Sequence, residues 1–171
     1  GEQDAIGVYI DTNGGFVHDC SFINLKESSS PHMKGPGVYM VAGHVLRCII
    51  TGCASYHNQH DGGGLYMTGG LAESCLIMSN RLQNVEGTWA RGGGVFMSGG
   101  PLLNCTVTAN NADNRGGGLY AEGADTRIIN CIVAGNKAGN SDADVTLTST
   151  VSPDNVCNSY LGGTDFGVNP V

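Results

Sequence analysis

The chain has 171 residues, 28 of them glycine, and a formal net charge of −7 from 8 lysines and arginines against 15 aspartates and glutamates. The glycines lack the G-X-Y period of collagen, and the basic residues form no run, so a triple helix, nucleic-acid binding and adhesion to an anionic membrane are not predicted. No apolar run approaches the ~18 residues of a membrane-spanning helix. The length suits one domain with one core.

One glycine-rich pattern begins five times along the chain. Three close copies start at Gly62 (GGGLYMTGGLAESCLIMSN), Gly92 (GGGVFMSGGPLLNCTVTAN) and Gly116 (GGGLYAEGADTRIINCIVAGN), and weaker copies lie near Ile6 and at Gly35. Self-similarity at a period of roughly 24 to 30 residues is typical of a solenoid. No apolar i, i+3, i+4 stripe runs through any copy, which disfavours helical repeats. We therefore predict an all-β solenoid of about five to six coils.

The first strand of each coil follows the glycines and alternates aliphatic, aromatic and apolar residues. The aliphatic position is occupied by Val8, Val38, Leu65, Val95 and Leu119. The aromatic position is occupied by Tyr9, Tyr39, Tyr66, Phe96 and Tyr120. Because successive strand residues point to opposite faces, the aliphatic residues are predicted to form a buried column and the rings an outward one. Such rings either offer a flat platform to sugars or stack on themselves and cover the sheet.

The second strand of each coil is centred on a cysteine. Six of the seven cysteines recur at intervals of 26 to 30 residues: Cys20, Cys48, Cys75, Cys105, Cys131 and Cys157. Stacked coils separate equivalent Cβ atoms by ~4.8 Å, more than the ~3.8 Å of a disulfide, so a buried row of free thiols is predicted. The preceding polar residue is predicted to mark a bend: Asp19, Arg47, Ser74, Asn104 and Asn130. Asn80, Asn110 and Asn136 are predicted to be left-handed turn residues.

The glycine and cysteine motifs together resemble a known family. GGGLY followed by NCTVTANNA resembles the right-handed parallel β-helix proteins of the pectate-lyase-like superfamily. Among these, it is similar to large secreted, surface-anchored bacterial proteins with choice-of-anchor-type domains, and residues 129–145 resemble their last repeat. The resemblance implies a right-handed parallel β-helix over residues 1–145 and a secreted or cell-surface location. Residues 146–171 are predicted to be an irregular last coil or a C-terminal extension of the same domain.

Nearly all length variation falls in the turn between a cysteine strand and the next glycines. The insertions, residues 26–36, 54–61, 81–91 and 111–115, leave the same corner of successive coils and should form one flank, where His32 and Arg81 also lie. Loops on a rigid scaffold often bind ligands, although solvated padding is the alternative. The candidate ligand-binding residues are Tyr39, Tyr66, Phe96, Tyr56, His57, His60, Trp89 and Arg91.

No metal, cofactor or catalytic residue is predicted. The stretch CASYHNQHD could supply zinc ligands from Cys53, His57, His60 and Asp61, but the spacing matches no established zinc motif. The polysaccharide hydrolase motifs N-x-D, D-D, G-H-G and R-x-K are absent as a set, and Asp142 and Asp144 lie in a terminal loop.

Three functions stay open. The leading hypothesis is a non-catalytic segment of a secreted or cell-surface protein with a structural, adhesive or matrix role. The alternatives are a polysaccharide lyase or hydrolase, and a carbohydrate-binding module. The expected partner is a polysaccharide or cell-surface glycan. Neither end of the sequence shows a capping helix, so we expect a segment of a larger protein that self-associates end to end in isolation.

Overall fold

The computed structural model describes residues 7–27, 34–56, 60–83, 90–139 and 144–167. They contain 26 short β-strands and one 3₁₀ helix, Pro153–Asn155, and no α-helix. The strands wind into a β-solenoid of about five turns with parallel sheets, which confirms the predicted fold class. None of the described segments is a helix long and apolar enough to cross a membrane.

Each coil contributes one strand to each of three long sheets. The first sheet contains Val8–Ile10, Val38–Met40, Leu65–Met67, Val95–Met97, Leu119–Ala121, Val145–Thr148 and Thr164–Gly167. The second contains Phe16–His18, His44–Leu46, Leu71–Glu73, Gly100–Leu103, Thr126–Ile129 and Val156–Cys157. The third contains Ser21–Ile23, Ile49–Thr51, Leu76–Met78, Thr106–Thr108, Ile132–Ala134 and Tyr160–Leu161. The segment after Val145 therefore continues all three.

Two further sheets lie where the sequence predicts only loops. The fourth contains Lys26–Glu27, Ala54–Ser55, Arg81–Leu82, Asn111–Ala112 and Lys137–Ala138. The fifth pairs His60–Asp61 with Ala90–Arg91, and single bridges add Lys34 and Arg115 on either side. The insertions thus stack in register on one flank, as predicted, but their described ends are strands because backbone groups there pair with the next coil.

The core lies inside the coils and follows the predicted alternation. Val38, Leu65, Val95 and Leu119 are fully buried and pair with one another in register, while Val8 in the first coil is half-buried. The bend before each cysteine is also confirmed. Its residues have φ between 50° and 55°, the left-handed region: Asp19, Arg47, Ser74, Asn104 and Asn130.

The asparagines play a different part from the one predicted. The left-handed residue at their corner is the one before, as at Ser79 and Ala109. The asparagine side chains point inward and form a hydrogen-bonded row. Asn80 Nδ2 donates to Asn110 Oδ1 at 3.0 Å, and Asn110 Nδ2 donates to Asn136 Oδ1 at 2.9 Å. Asn136 Nδ2 donates to the buried Asp144 carboxylate at 2.8 Å, which ends the row.

This row explains the third glycine of each triplet. A Cβ atom on Gly94 would lie 2.7 Å from Asn110 Nδ2 and 2.7 Å from the Gly118 carbonyl oxygen. The backbone conformation of Gly94 is ordinary, so glycine is required there by close approach to the asparagine and the next coil.

The cysteine row needs one correction. Cys48, Cys75, Cys105 and Cys131 are buried and Cys20 is exposed in the first coil. Cys157, predicted to be the sixth member, pairs with Ile129 and is exposed. Ser159 takes the sixth position instead, where its Oγ accepts from the Cys131 N–H at 3.0 Å. The irregular last coil, with its 3₁₀ helix, shifts the register by two residues.

Candidate functional site

The aromatic residues of the first sheet point away from the core, but most of their rings are covered. Tyr66, Phe96 and Tyr120 are 7%, 2% and 6% exposed, and only Tyr9 is largely open. Of the two roles left open for these rings, their burial favours the second, in which they stack on themselves and cover the sheet. Tyr66 and Phe96 stack with centroids 4.7 Å apart, and Phe96 stacks on Tyr120 at 5.6 Å. The three rings are buried by stacking on one another and by side chains of the flank that lie over them.

Arg91 is the main cover of these rings. Its guanidinium carbon lies 4.9 Å from the centre of the Phe96 ring and 4.8 Å from that of Tyr120. The Lys34 ammonium lies 5.1 Å from the centre of the Tyr66 ring in the same way. A cation over an aromatic face is attracted by the negative face of the ring, which favours this arrangement.

Arg91 is also held by two carboxylates. Its Nε and Nη2 donate to the Asp61 carboxylate at 2.9 and 2.7 Å, and Nη1 donates to Glu122 at 3.4 Å. The Arg91 and Asp61 side chains are only 19% and 9% exposed. Burial alone would lower the pKa of Arg91, but hydrogen bonds and charge attraction, foremost from Asp61, raise it above its ordinary value. Arg91 therefore keeps its positive charge inside the flank.

A second arginine–aspartate pair with the same two-bond geometry lies away from the flank, on the exposed surface. Arg47 donates through Nε and Nη2 to Asp19 in the preceding coil, with both distances 2.7 Å, and both side chains are more than half exposed. The hydrogen bonds from Arg47 and then from His18 hold the pKa of Asp19 well below its usual range.

A buried polar cluster lies beneath the flank at its first coils. The Ser55 hydroxyl donates to a Glu27 carboxylate oxygen at 3.3 Å and contacts Nδ1 of His60. All three side chains are buried. In later coils the same space is filled by Leu82, Ala90 and Ala112. Because Ser55 and His60 have at most 1% of their surface exposed, this cluster holds the flank together rather than meeting a large substrate.

The flank also gathers most of the positive charge, which the sequence does not reveal. Six of the eight lysines and arginines lie on the fourth and fifth sheets or their bridges: Lys26, Lys34, Arg81, Arg91, Arg115 and Lys137. Lys26, Arg81 and Lys137 are exposed on every second strand of the fourth sheet, roughly 10 Å apart. Glu27 and Asp61 on this flank are buried, and Asp113 adds an exposed carboxylate.

Sequence reasoning missed this surface because successive members are separated by 8 to 47 residues along the chain and meet only through strand register. Their common signal is a basic residue at or near an end of three of the four insertions, as at Lys26, Arg91 and Arg115. Without the fourth sheet, that signal does not show that they share a face.

The predicted site residues are only partly brought together. His60 and Arg91 are neighbours on the fifth sheet and on adjacent coils, and Tyr56 is half-buried beside the fourth. Tyr39 is half-buried next to Tyr66, their ring centres 4.8 Å apart. His32, His57, Trp89 and Asp142 lie outside the described residues.

The four residues of the zinc hypothesis have other partners in the structure, apart from His57. Cys53 faces the main core, with Sγ 3.7 Å from the Thr51 carbonyl oxygen. His60 contacts Ser55, and Asp61 binds Arg91.

Comparison of this chain with protein-family models, with curated proteins and with solved structures finds no match.

Proposed function

We propose that this chain is a non-catalytic segment of a secreted or cell-surface β-helix protein of the pectate-lyase-like type, with a structural and adhesive role. In this role the solenoid is a rigid rod whose basic flank binds an anionic cell-surface glycan. The observation that carries the proposal is the charge distribution: in a chain of net charge −7, six of eight cations lie on one flank.

The spacing on the flank suits a polymer. Exposed cations at intervals of roughly 10 Å along the rod can meet carboxylates or sulfates that repeat along an extended chain. Each contact is exposed and weak on its own, so several must act together. Arg91 is paired internally with Asp61 and adds little to the field of the flank, so Lys26, Arg81 and Lys137 are the exposed contacts for such a ligand.

The test is binding to an immobilised uronate polymer such as polygalacturonate, with a neutral glucan as the reference. Wild type should be retained on the uronate at low salt and released as salt screens the contacts, over a Debye length of about 8 Å at 0.15 M. The variant Arg81→Ala should bind several-fold more weakly.

Arg127→Ala is the matched control, because Arg127 is also an exposed arginine on a strand but belongs to the second sheet. Equal effects of the two variants, or equal retention on the neutral glucan, would contradict the proposed flank. Release of reducing ends or unsaturated products from the polymer would contradict the non-catalytic role.

A further inference from the structure

Five cysteines form a row along the interior corner between the second and third sheets. Its members are Cys20, Cys48, Cys75, Cys105 and Cys131. Cys53 lies outside the row at the asparagine position of its coil, and Cys157 lies outside it on the surface. Neither the packing of the core nor the basic flank requires that this position be a thiol in five successive coils.

The five thiols have the same orientation. Each Sγ lies 3.1 to 3.3 Å from the carbonyl oxygen of the residue two positions earlier. From Cys48 onward, each Sγ also lies 3.3 to 3.8 Å from a carbonyl oxygen of the preceding coil. Because the orientation repeats, neighbouring sulfurs are separated by about the strand spacing, ~4.8 Å.

This spacing matches the reach of a metal held between two sulfurs. An ion midway between neighbours would lie about 2.4 Å from each, close to the ~2.3 Å of a zinc–thiolate bond. Among the described residues no three His, Cys, Asp or Glu side chains converge to hold a metal ion, so the row offers pairs of ligands in line rather than a cage. Thiolates select soft cations such as Cu(I).

We propose that the cysteine row binds soft monovalent cations, with Cu(I) as the biological candidate, each held linearly between the sulfurs of two neighbouring coils. Five sulfurs enclose four such intervals. The exposed Cys20 gives access from one end, and Ser159, whose hydroxyl is a poor ligand for a soft ion, closes the other.

The charge balance favours this arrangement over bare thiolates. Each thiol that binds releases its proton to solvent, and no electron is transferred. A row of thiolates that shares one ion per interval keeps a single net negative charge whatever its length. The carbonyl oxygens near each sulfur disfavour a bare thiolate, and a cation between two sulfurs offsets this unfavourable negative charge.

The experiment is a titration of the reduced protein with Ag(I) in chloride-free buffer, and with Cu(I) under anaerobic conditions against a Cu(I) chelator. Metal–thiolate absorption in the near ultraviolet and proton release report binding. Two double variants, each with five cysteines left, separate a row from independent thiols. Cys48→Ala with Cys105→Ala leaves no two neighbours in the row, whereas Cys20→Ala with Cys131→Ala leaves three in succession.

The first double variant should lose affinity by about 100-fold, because each ion loses its second ligand. The second double variant should keep tight binding in its two remaining intervals. Circular dichroism of the metal-free proteins checks folding. If the first double variant does not fold, Cys75→Ala replaces it and should reduce the tightly bound ions from four to two. Equal losses in the two double variants, or no tight binding to wild type, would overturn the proposal.

Discussion

At the scale of a residue, the two arginine–aspartate pairs show how burial changes the contribution of an ion pair to stability. Both pairs join neighbouring coils through two hydrogen bonds of 2.7 to 2.9 Å. Arg47 and Asp19 are more than half exposed, whereas Arg91 and Asp61 are largely buried over aromatic rings. Exposed pairs contribute little, but removing one partner of a buried pair leaves an uncompensated charge.

We expect Arg91→Ala to lower the free energy of unfolding by about 3 kcal/mol, because Asp61 keeps its burial and the Phe96 ring loses its cover. Arg47→Ala should leave the unfolding midpoint unchanged. Urea unfolding followed by circular dichroism measures both. Equal effects would show that burial does not distinguish the pairs.

The cysteines allow a second prediction at this scale. Cys20 and Cys157 are exposed, and the other five are buried. In the native protein two thiols should react rapidly with an aromatic disulfide reagent, and all seven should react after denaturation. Burial raises the pKa of Cys53 and makes its reactive thiolate scarcer. Disulfides found by mass spectrometry would contradict the row of free thiols.

At the scale of an element, the asparagine row is the clearest stabilising unit. Asn110 Oδ1 accepts from both the backbone N–H and Nδ2 of Asn80, and its own Nδ2 donates to the Ile77 carbonyl oxygen at 3.0 Å. All of these groups are buried. Each would therefore lose its partner, without gaining water, if the amide were removed.

Asn110→Ala should accordingly lower the free energy of unfolding by about 3 kcal/mol. Asn104→Gly is the control, because it removes an exposed amide and glycine accepts the left-handed backbone at φ 53°. Thermal unfolding of the two variants compares them, and a control as unstable as Asn110→Ala would exclude a special role for the row.

Alternation and period predict the strands and their inward residues, but not what covers the outward ones. A period of two correctly predicts that Leu65 and Met67 face the core, and the polar residue before a cysteine correctly predicts the bend at Ser74. The left-handed backbone of that bend is a finding of the structure. The burial of Tyr66 depends on Lys34, some thirty residues away, and no local pattern links them. Likewise, Cys157 keeps the expected spacing while a 3₁₀ helix shifts its register.

At the scale of the molecule, the two ends of the rod differ from its sides. Each sheet ends in a strand with one paired edge among the described residues, such as Val8–Ile10 at one end and Tyr160–Leu161 at the other. An open apolar cavity of about 510 Å³, lined by Leu147, Val151 and Val156 among others, lies at the last coil. Strand edges beside apolar surface favour association.

We therefore expect the isolated 171-residue chain to associate end to end, more strongly as salt screens its net charge of −7. Light scattering across a range of protein and salt concentrations measures the particle size. A fixed monomer under all conditions would contradict this prediction, which is separate from glycan binding because the basic flank lies on the side.

The basic flank marks the limit of sequence reasoning at this scale. The net charge of −7 and the lack of a basic run in the sequence give no sign of a site for anions. The chain as a whole is acidic, but its positive charges are concentrated on one flank. Arg81 and Lys137 lie two strands apart in the fourth sheet because both pair with Asn111, which lies on the strand between them. Surface charge in a solenoid is thus a property of register, which loop lengths set.

The asparagine row has a direction, and Asp144 gives it a terminus. Each asparagine Nδ2 donates a hydrogen bond to the side-chain oxygen of the following member of the row. The amide dipoles therefore align, and their positive end points at the Asp144 carboxyl group. Asp144 Oδ1 accepts hydrogen bonds from both the backbone N–H and Nδ2 of Asn136, and the row ends there. Duplication of an interior coil, such as the one that contains Asn110, would lengthen the row without disturbing either end. Coils added by duplication after Asp144 could not extend this row and would need a separate row of asparagines. Duplication of coils is therefore compatible with a continuous asparagine row only at positions before Asp144.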